Sequence, residues 1–483
     1  MPIAAETVSA VEAIFARRLR EGTAPGAAWA VFDRDGVAAT GGLGDARLGA
    51  AASDPDTLFR VASCTKSFTA AALLLLRDTD RLDLDAPVRA FVPEFAPDVP
   101  GGFDAPISVR MLMTMSGGLP TDDPWADREE SMTRDAFRRT IADGIRCVTV
   151  PGTAFEYSNL GYALLGQVIE RASGATYVDF VEQELVAPLD LAARFEAPAG
   201  PTPAVATGNR RGPDGWVPLP FTGPGAFSAI GGVFASARSL AEWAGWLASA
   251  WRGDESGPLS AASRRELQQL HRVAPPPRTP APDAPVPAPL VTGYGYGLFV
   301  EHDARFGPVV SHSGGYPGFS AHMRWHAASG LGVVALENAT YAKVSRGAEA
   351  ALERLLLDAD AVAPLRREPD PWPETLATAE GLSRLAIDWS DAAADALLAS
   401  NAALDVPYDE RRATLDAAWT SVGGRTAASG ALEDRACDSP DHLVWFQRGA
   451  TGRLRLEVRM TPLLHGRAQT FNVAVENGPA PGR

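Results

Sequence analysis

Apolar residues recur at helical spacing over residues 5–20, and the pattern then changes. Two β-like runs, Ala27–Phe32 and Val37–Gly41, flank Asp33-Arg34-Asp35-Gly36, and Asp-Gly at that point predicts a hairpin. From Phe68 to Leu76 the chain is apolar on nearly every side, the mark of a buried helix, and Ser63 opens it. Residues 77–250 read as mostly helical with long loops. Within them Ser158–Ala172 is closed by Gly174, and Leu240–Trp251 follows capping-type serines at 236 and 239. Alternation returns at Gly297–Glu301, Pro308–Ser311, Ser320–Trp325 and Gly332–Glu337, an antiparallel meander followed by a helix over Ala348–Leu357. Strands at both ends with helices between predict one α/β layer interrupted by a helical subdomain.

Proline-rich stretches punctuate the rest. Residues 274–289 form a Pro/Ala loop insertion or spacer, and Pro364–Pro373 reads as a linker. The expected domains are thus 1–363 and 374–483. The second is a small α+β domain, helical to about Trp419 with strands near His442–Gln447, Leu454–Met460 and Thr470–Glu476. A chain of 483 residues suits two domains. No internal repeat is evident.

Composition then narrows the partners. The formal net charge of −15 with no basic cluster argues against nucleic acid and anionic membrane. Cys64, Cys147 and Cys437 fit neither a disulfide framework nor a zinc site. The N-terminus has no basic region followed by a long apolar one, so the expected location is cytoplasmic.

Of the 44 basic residues only two are lysine, Lys66 and Lys343. Arginine keeps its proton, whereas a desolvated lysine can act as a base. Lys66 lies three residues after Ser63, so on a helix the amine stands beside the hydroxyl. A serine hydroxyl needs such a neighbour to become a nucleophile, and free amides at a helix start can hold an oxyanion. Read alone, Ser63-Cys64-Thr65-Lys66 also fits a capping serine and a solvated lysine; the scarcity of lysine and the buried helix favour chemistry.

Two further groups carry chemistry. Tyr157-Ser158-Asn159 opens a helix after the Pro151-Gly152 turn. A tyrosine near a lysine can act as phenolate or relay a proton, and an asparagine can hold a substrate amide. Read alone, Asn159 is also a good N-cap and Tyr157 an amphipathic anchor. Ser311-His312-Ser313-Gly314-Gly315-Tyr316 follows a strand, and its small residues let a substrate approach. His312 can donate to a carbonyl or move a proton, and the Gly315 amide can complete an oxyanion hole; an ordinary glycine-rich hairpin fits as well. His322 and His326 share a strand face but lack a third ligand, so no metal site is expected. Gly225–Gly232 could line a cleft but fits a plain loop before the helix better, and Trp243, Trp246 and Trp251 read as core.

In this order S-x-x-K, Y-x-N and His-Ser-Gly resemble the serine β-lactamase and penicillin-binding-protein superfamily. The last two forms resemble its class C β-lactamase-related branch, with family VIII esterases, D-amino-acid peptidases and penicillin-binding-type thioesterases. The likeness covers about residues 5–360, and Met111–Leu119 and Gly231–Ser236 support it. It implies an antiparallel sheet flanked by helices beside an all-helical subdomain, and no cofactor. It implies Ser63 as acylated nucleophile, Lys66 and Tyr157 as the general-base pair, and His312 in the place of a lysine. Asn159, Ser313 and Gly314 would bind substrate, and the Ser63 and Gly315 amides would form the oxyanion hole.

The expected activity is a serine hydrolase acting on an ester, thioester or small peptide-like amide. Alternatives are a thioesterase that cyclises a peptidyl thioester and docks its carrier or acyl donor, a D-amino-acid peptidase or DD-carboxypeptidase, and a silent binding protein. His312 in place of lysine weakens the case for β-lactams. The C-terminal segment falls outside the resemblance.

Overall fold

The computed structural model describes residues 3–102, 106–195, 205–275, 290–359 and 369–476, apart from Ala428. The chain divides into two compact units, Met1–Val362 and Ala363–Arg483. Most of the Pro/Ala run and residues 364–368 of the expected linker lie outside the described residues.

The first unit is built on helix α1 (Ala5–Arg20), strands β1 (Gly26–Asp33), β2 (Gly36–Arg47) and β3 (Ala51–Ala52), helices α2 (Thr65–Asp78), α3 (Asn159–Ser173) and α4 (Ala237–Ser249), strands β4 (Arg272–Val273), β5 (Leu290–Tyr294), β6 (Phe299–Asp303), β7 (Gly307–Tyr316), β8 (Phe319–His326) and β9 (Gly332–Glu337), and helix α5 (Ser345–Asp358). The nine strands form one antiparallel sheet in the order β3-β2-β1-β9-β8-β7-β6-β5-β4. Only β1 joins the N-terminal hairpin to the meander, pairing Trp29 with Ala335 of β9.

Both faces are covered at the centre of this sheet, so β1 and β9 are buried along nearly their whole length rather than alternating. Trp29, Val31, Val333 and Ala335 pack under α1 and α5 with Val11, Phe15, Ala348 and Leu352. Their neighbours Ala28, Ala30, Phe32, Val334 and Leu336 face the other way, into the larger core with α2 and α4. There Phe68 stacks on Trp243 with ring centroids 3.9 Å apart, and Trp243 donates its indole N–H to Ser67 Oγ at 2.9 Å.

Three expectations change. Residues 77–250 are not helical throughout: Phe59–Arg60, Phe234–Ala235 and Ala193–Arg194 make a small sheet, and Asn209–Gly212 with Gly215–Pro218 a hairpin. Helix α4 packs on the main sheet instead of standing apart from it. Of the three tryptophans, Trp243 is core, but Trp251 is 42% exposed and donates to Gln268 Oε1 at 3.1 Å. It lies beyond the last α-helical residue, where the chain has turned off the sheet.

The second unit has the expected small α+β form. Helices Pro373–Ile387 and Tyr408–Ser421 precede an antiparallel meander of Glu433–Ala436, His442–Arg448, Arg453–Met460 and Ala468–Glu476. Strict alternation buries Leu454, Leu456, Val458 and Met460 against Trp419, Trp445, Leu382 and Leu385. The segment read as linker ends in helix, because Pro373 occupies a first-turn position where its missing N–H costs nothing.

Candidate active site

Ser63 sits in a tight turn, Ala62–Cys64, that runs straight into α2. The turn is anchored by Val61 N–H on Val233 O at 2.9 Å and by Val233 N–H on Thr65 Oγ1 at 3.2 Å. Ala62 just before the serine has φ 49°, a left-handed conformation costly for a residue with a Cβ. Strain at this point is held by packing on both sides, so Ser63 keeps one position. Its residue is 7% exposed, enough to be reached.

One turn on, Lys66 is fully buried. Its Nζ donates to Ser63 Oγ at 2.9 Å, Asn159 Oδ1 at 2.7 Å and Ile230 O at 3.0 Å. Three donors meet three acceptors, so the ammonium is saturated. Burial lowers the Lys66 pKa to about 8, opposed chiefly by Asp127, then Asp123 and Asp122. Once neutral, the amine has two N–H groups and a lone pair. Asn159 Oδ1 and Ile230 O can only accept, so the lone pair must face Ser63, the one partner with a proton to give. The run Gly225–Gly232 thus enters the site through its backbone, contrary to the plain-loop reading.

Helix α3 presents Asn159 to Lys66 because other groups cap that helix. Ser158 Oγ accepts from Gly161 N–H at 3.2 Å, and the Asp122 carboxylate accepts from Asn159 N–H and Leu160 N–H, each at 2.7 Å. Asn159 is therefore not the N-cap. Its Nδ2 donates to Asp123 Oδ1, which fixes the amide with its oxygen toward Lys66. Tyr157 is half-buried; its ring lies parallel to Phe299 and edge-on to Tyr294, with Lys66 Nζ 5.2 Å from its centroid. Burial, then Asp123, pushes its phenol well above the ordinary range, with a hydrogen bond to Ser63 opposing. The phenol is a neutral donor, not a phenolate.

The third group departs from expectation. His312 to Tyr316 belong to β7 itself, not to a turn after it. The glycines serve close approach: a Cβ on Gly314 would lie 2.3 Å from Val61 O, and one on Gly315 2.5 Å from the Tyr341 ring. Gly314→Ala is expected to push β7 off the nucleophile turn, costing about 1–3 kcal/mol in urea denaturation and lowering kcat. His312 is 1% exposed, and both ring nitrogens are engaged, Nδ1 with Ser313 O at 2.6 Å and Nε2 with Tyr294 Oη at 3.0 Å. Burial, then Lys66, lowers its pKa to about 3. It is a neutral ring behind Tyr157, holding Tyr294, and in this structure it offers neither a free donor nor a charge. Ser313, one residue on, points to the other face and is exposed.

Sequence reasoning missed the acids. Asp127 is 3% exposed, accepts from Tyr341 Oη at 2.8 Å, and has its pKa raised to about 7, mainly by burial. Asp122, Asp123 and Asp127 lie over thirty positions from Asn159, and no local pattern ties them to it. His322 and His326 hold separate partners, Ser313 Oγ for one and Ser329 Oγ with Phe306 O for the other. Among the described residues no group of His, Cys, Asp or Glu is arranged to hold a metal. No helix of the described residues is long and apolar enough to cross a membrane.

The beta-lactamase family model matches residues 11–358, so the chain belongs to that family, a class of serine hydrolases. Protein flp of Staphylococcus aureus is 29% identical over 188 residues, 38% of this chain and 36% of flp. Esterase EstB of Burkholderia gladioli is 32% identical over 208 residues, 39% of this chain and 51% of EstB. The chain thus matches between a third and about half the length of these curated relatives. The octameric penicillin-binding protein homologue of Pyrococcus abyssi has the same fold, with TM-score 0.61 at 23% identity over 95% of this chain and 92% of that one. That match extends into the C-terminal unit, which the sequence motifs left outside.

Proposed function

We propose that Ser63 is acylated by an ester, thioester or small peptide-like amide, and that water then releases the acyl group. The observation that carries this reading is Lys66: a buried amine, its pKa lowered to about 8, whose hydrogen-bond partners among the described residues include one that bears a proton, Ser63. Neutral Lys66 takes the Oγ proton as Oγ attacks the carbonyl. The Ser63 and Gly315 amides hold the oxyanion. Tyr157, a neutral phenol beside Ser63, gives its proton to the leaving group and regains one from Lys66. Hydrolysis runs the relay in reverse: water gives a proton to Tyr157 as Tyr157 passes its own to Lys66, attacks the acyl carbonyl, and Lys66 returns a proton to Ser63 Oγ as that oxygen leaves. Similarity to EstB supports an ester substrate.

The electrostatics favour substrates without a carboxylate. His312 is neutral, and the charge of Lys66 faces Asp122, Asp123 and Asp127. Neither His312 nor Lys66 is therefore free to pair with an anion. We expect p-nitrophenyl esters and a peptidyl thioester to acylate Ser63 at least about tenfold faster in kcat/KM than a cephalosporin or a D-Ala-D-Ala peptide, since a missing ion pair costs more than 1.4 kcal/mol. Intact mass and stopped-flow rates read this out; faster acylation by the carboxylate-bearing pair would overturn it. Product mass on the thioester separates hydrolysis from cyclisation.

A further inference from the structure

The strongest feature that this mechanism leaves unused is His322. It stands opposite Ser313 in the β7–β8 register and is 3% exposed. Its Nδ1 lies 2.8 Å from Ser313 Oγ, while its Nε2 is buried with no hydrogen-bond partner among the described residues. Ser313 itself is exposed, on the strand whose next residue, Gly314, packs on the Ser63 turn.

These facts decide where the protons are. Burial, with Arg324 next and His312 after it, keeps His322 neutral, so the ring carries one N–H. An orphaned buried N–H is rarer and costlier than an under-used acceptor. The proton therefore sits on Nδ1, directed at Ser313 Oγ, and the bare lone pair is left on Nε2. With its oxygen already accepting, the Ser313 hydroxyl hydrogen is turned away from His322 toward solvent. We infer that His322 is a positioning residue that orients Ser313 as a hydrogen-bond donor to an acceptor oxygen of the substrate, such as an amide carbonyl beyond the scissile bond. This rests on the proposed hydrolase reading for the location of substrate, but the proton assignment stands on the structure alone.

The arrangement predicts a specific selectivity. N-acetyl-alanine p-nitrophenyl ester offers the extra carbonyl; p-nitrophenyl butyrate does not. Ser313→Ala and His322→Phe are each expected to raise KM for the first ester about threefold to tenfold, the size of one ordinary hydrogen bond. His322→Phe should leave kcat and the rate on the second ester unchanged, because His322 itself touches no substrate. The double variant should be no worse than either single one, because both remove the same donor. His322→Gln, which keeps a side-chain N–H, should restore most of the loss and guards against a folding defect in the Phe variant. Selective 15N-histidine labelling of the wild type should show the His322 ring protonated on Nδ1, assigned by the signal missing in His322→Gln. A ring protonated on Nε2 or on both nitrogens overturns the inference, and so does an equal loss of kcat on both esters. If the wild type turns over neither ester, the hydrolase reading fails, while the nitrogen spectrum still decides the proton assignment.

Discussion

Ser63→Ala is expected to abolish acylation while leaving the fold intact. Intact mass should show one adduct per wild-type chain after treatment with a fluorophosphonate and none on the variant. Turnover of a p-nitrophenyl ester should fall by about 10⁴–10⁶-fold, the range seen when a nucleophile that acts as a unit with its base is removed. The fold should tolerate the change, because Ser63 Oγ is not a cap: no side-chain bond closes the helix start, and the turn is held by the Val61–Val233 backbone bond. The surviving groups would still bind substrate, since Asn159 and Ile230 keep Lys66 in place. An adduct that persists on the variant would sink the assignment of the nucleophile.

Lys66→Arg should be nearly as damaging, despite conserving charge. A guanidinium keeps its proton at any working pH, so it has no lone pair to take the Ser63 proton. Its planar fork also cannot reproduce three acceptors set around one nitrogen. The expected loss is about 10²–10⁴-fold in kcat. The pH profile tests the same point in the wild type. Lys66 is lowered to about 8 by burial, and only its neutral form is a base. The rate should therefore rise with pH through about 8 and level off above it. Asp127 is the largest charge opposing that shift. Asp127→Asn should let the Lys66 pKa fall further and move the rise to lower pH, by up to about one unit. A rise that stays in place on Asp127→Asn would mean that the titrating group is not Lys66.

How much of this site was legible depended on how local its cause is. Ser63 and Lys66 are three residues apart, and helix geometry alone brings them together. Tyr157-Ser158-Asn159 was legible as a helix start, but not which residue caps it. Asp122, 36 positions before Ser158, takes two amides of that helix and leaves Asn159 free to face Lys66. His312 looked like a donor because nothing near it in sequence engages its Nε2. Tyr294, brought by β5, does so. The glycines after it looked like a turn; pairing with β8 makes them strand residues, and they are glycine because Val61 and Tyr341 leave no room for a Cβ.

The sequence by itself determined most of the elements, the two-unit division and the pairing of a serine with a lysine. Periodicity, turn residues and i to i+3 spacing are short-range, so each can be read where it stands. Tertiary structure alone decided the charge states. Whether Lys66 can lose its proton depends on removal from water and on acceptors supplied by Asn159 and Ile230, 93 and 164 positions away. Whether His312 is charged depends on the core around it. Desolvation and Coulomb interaction act through space, and only the packed sheet and helices set those distances.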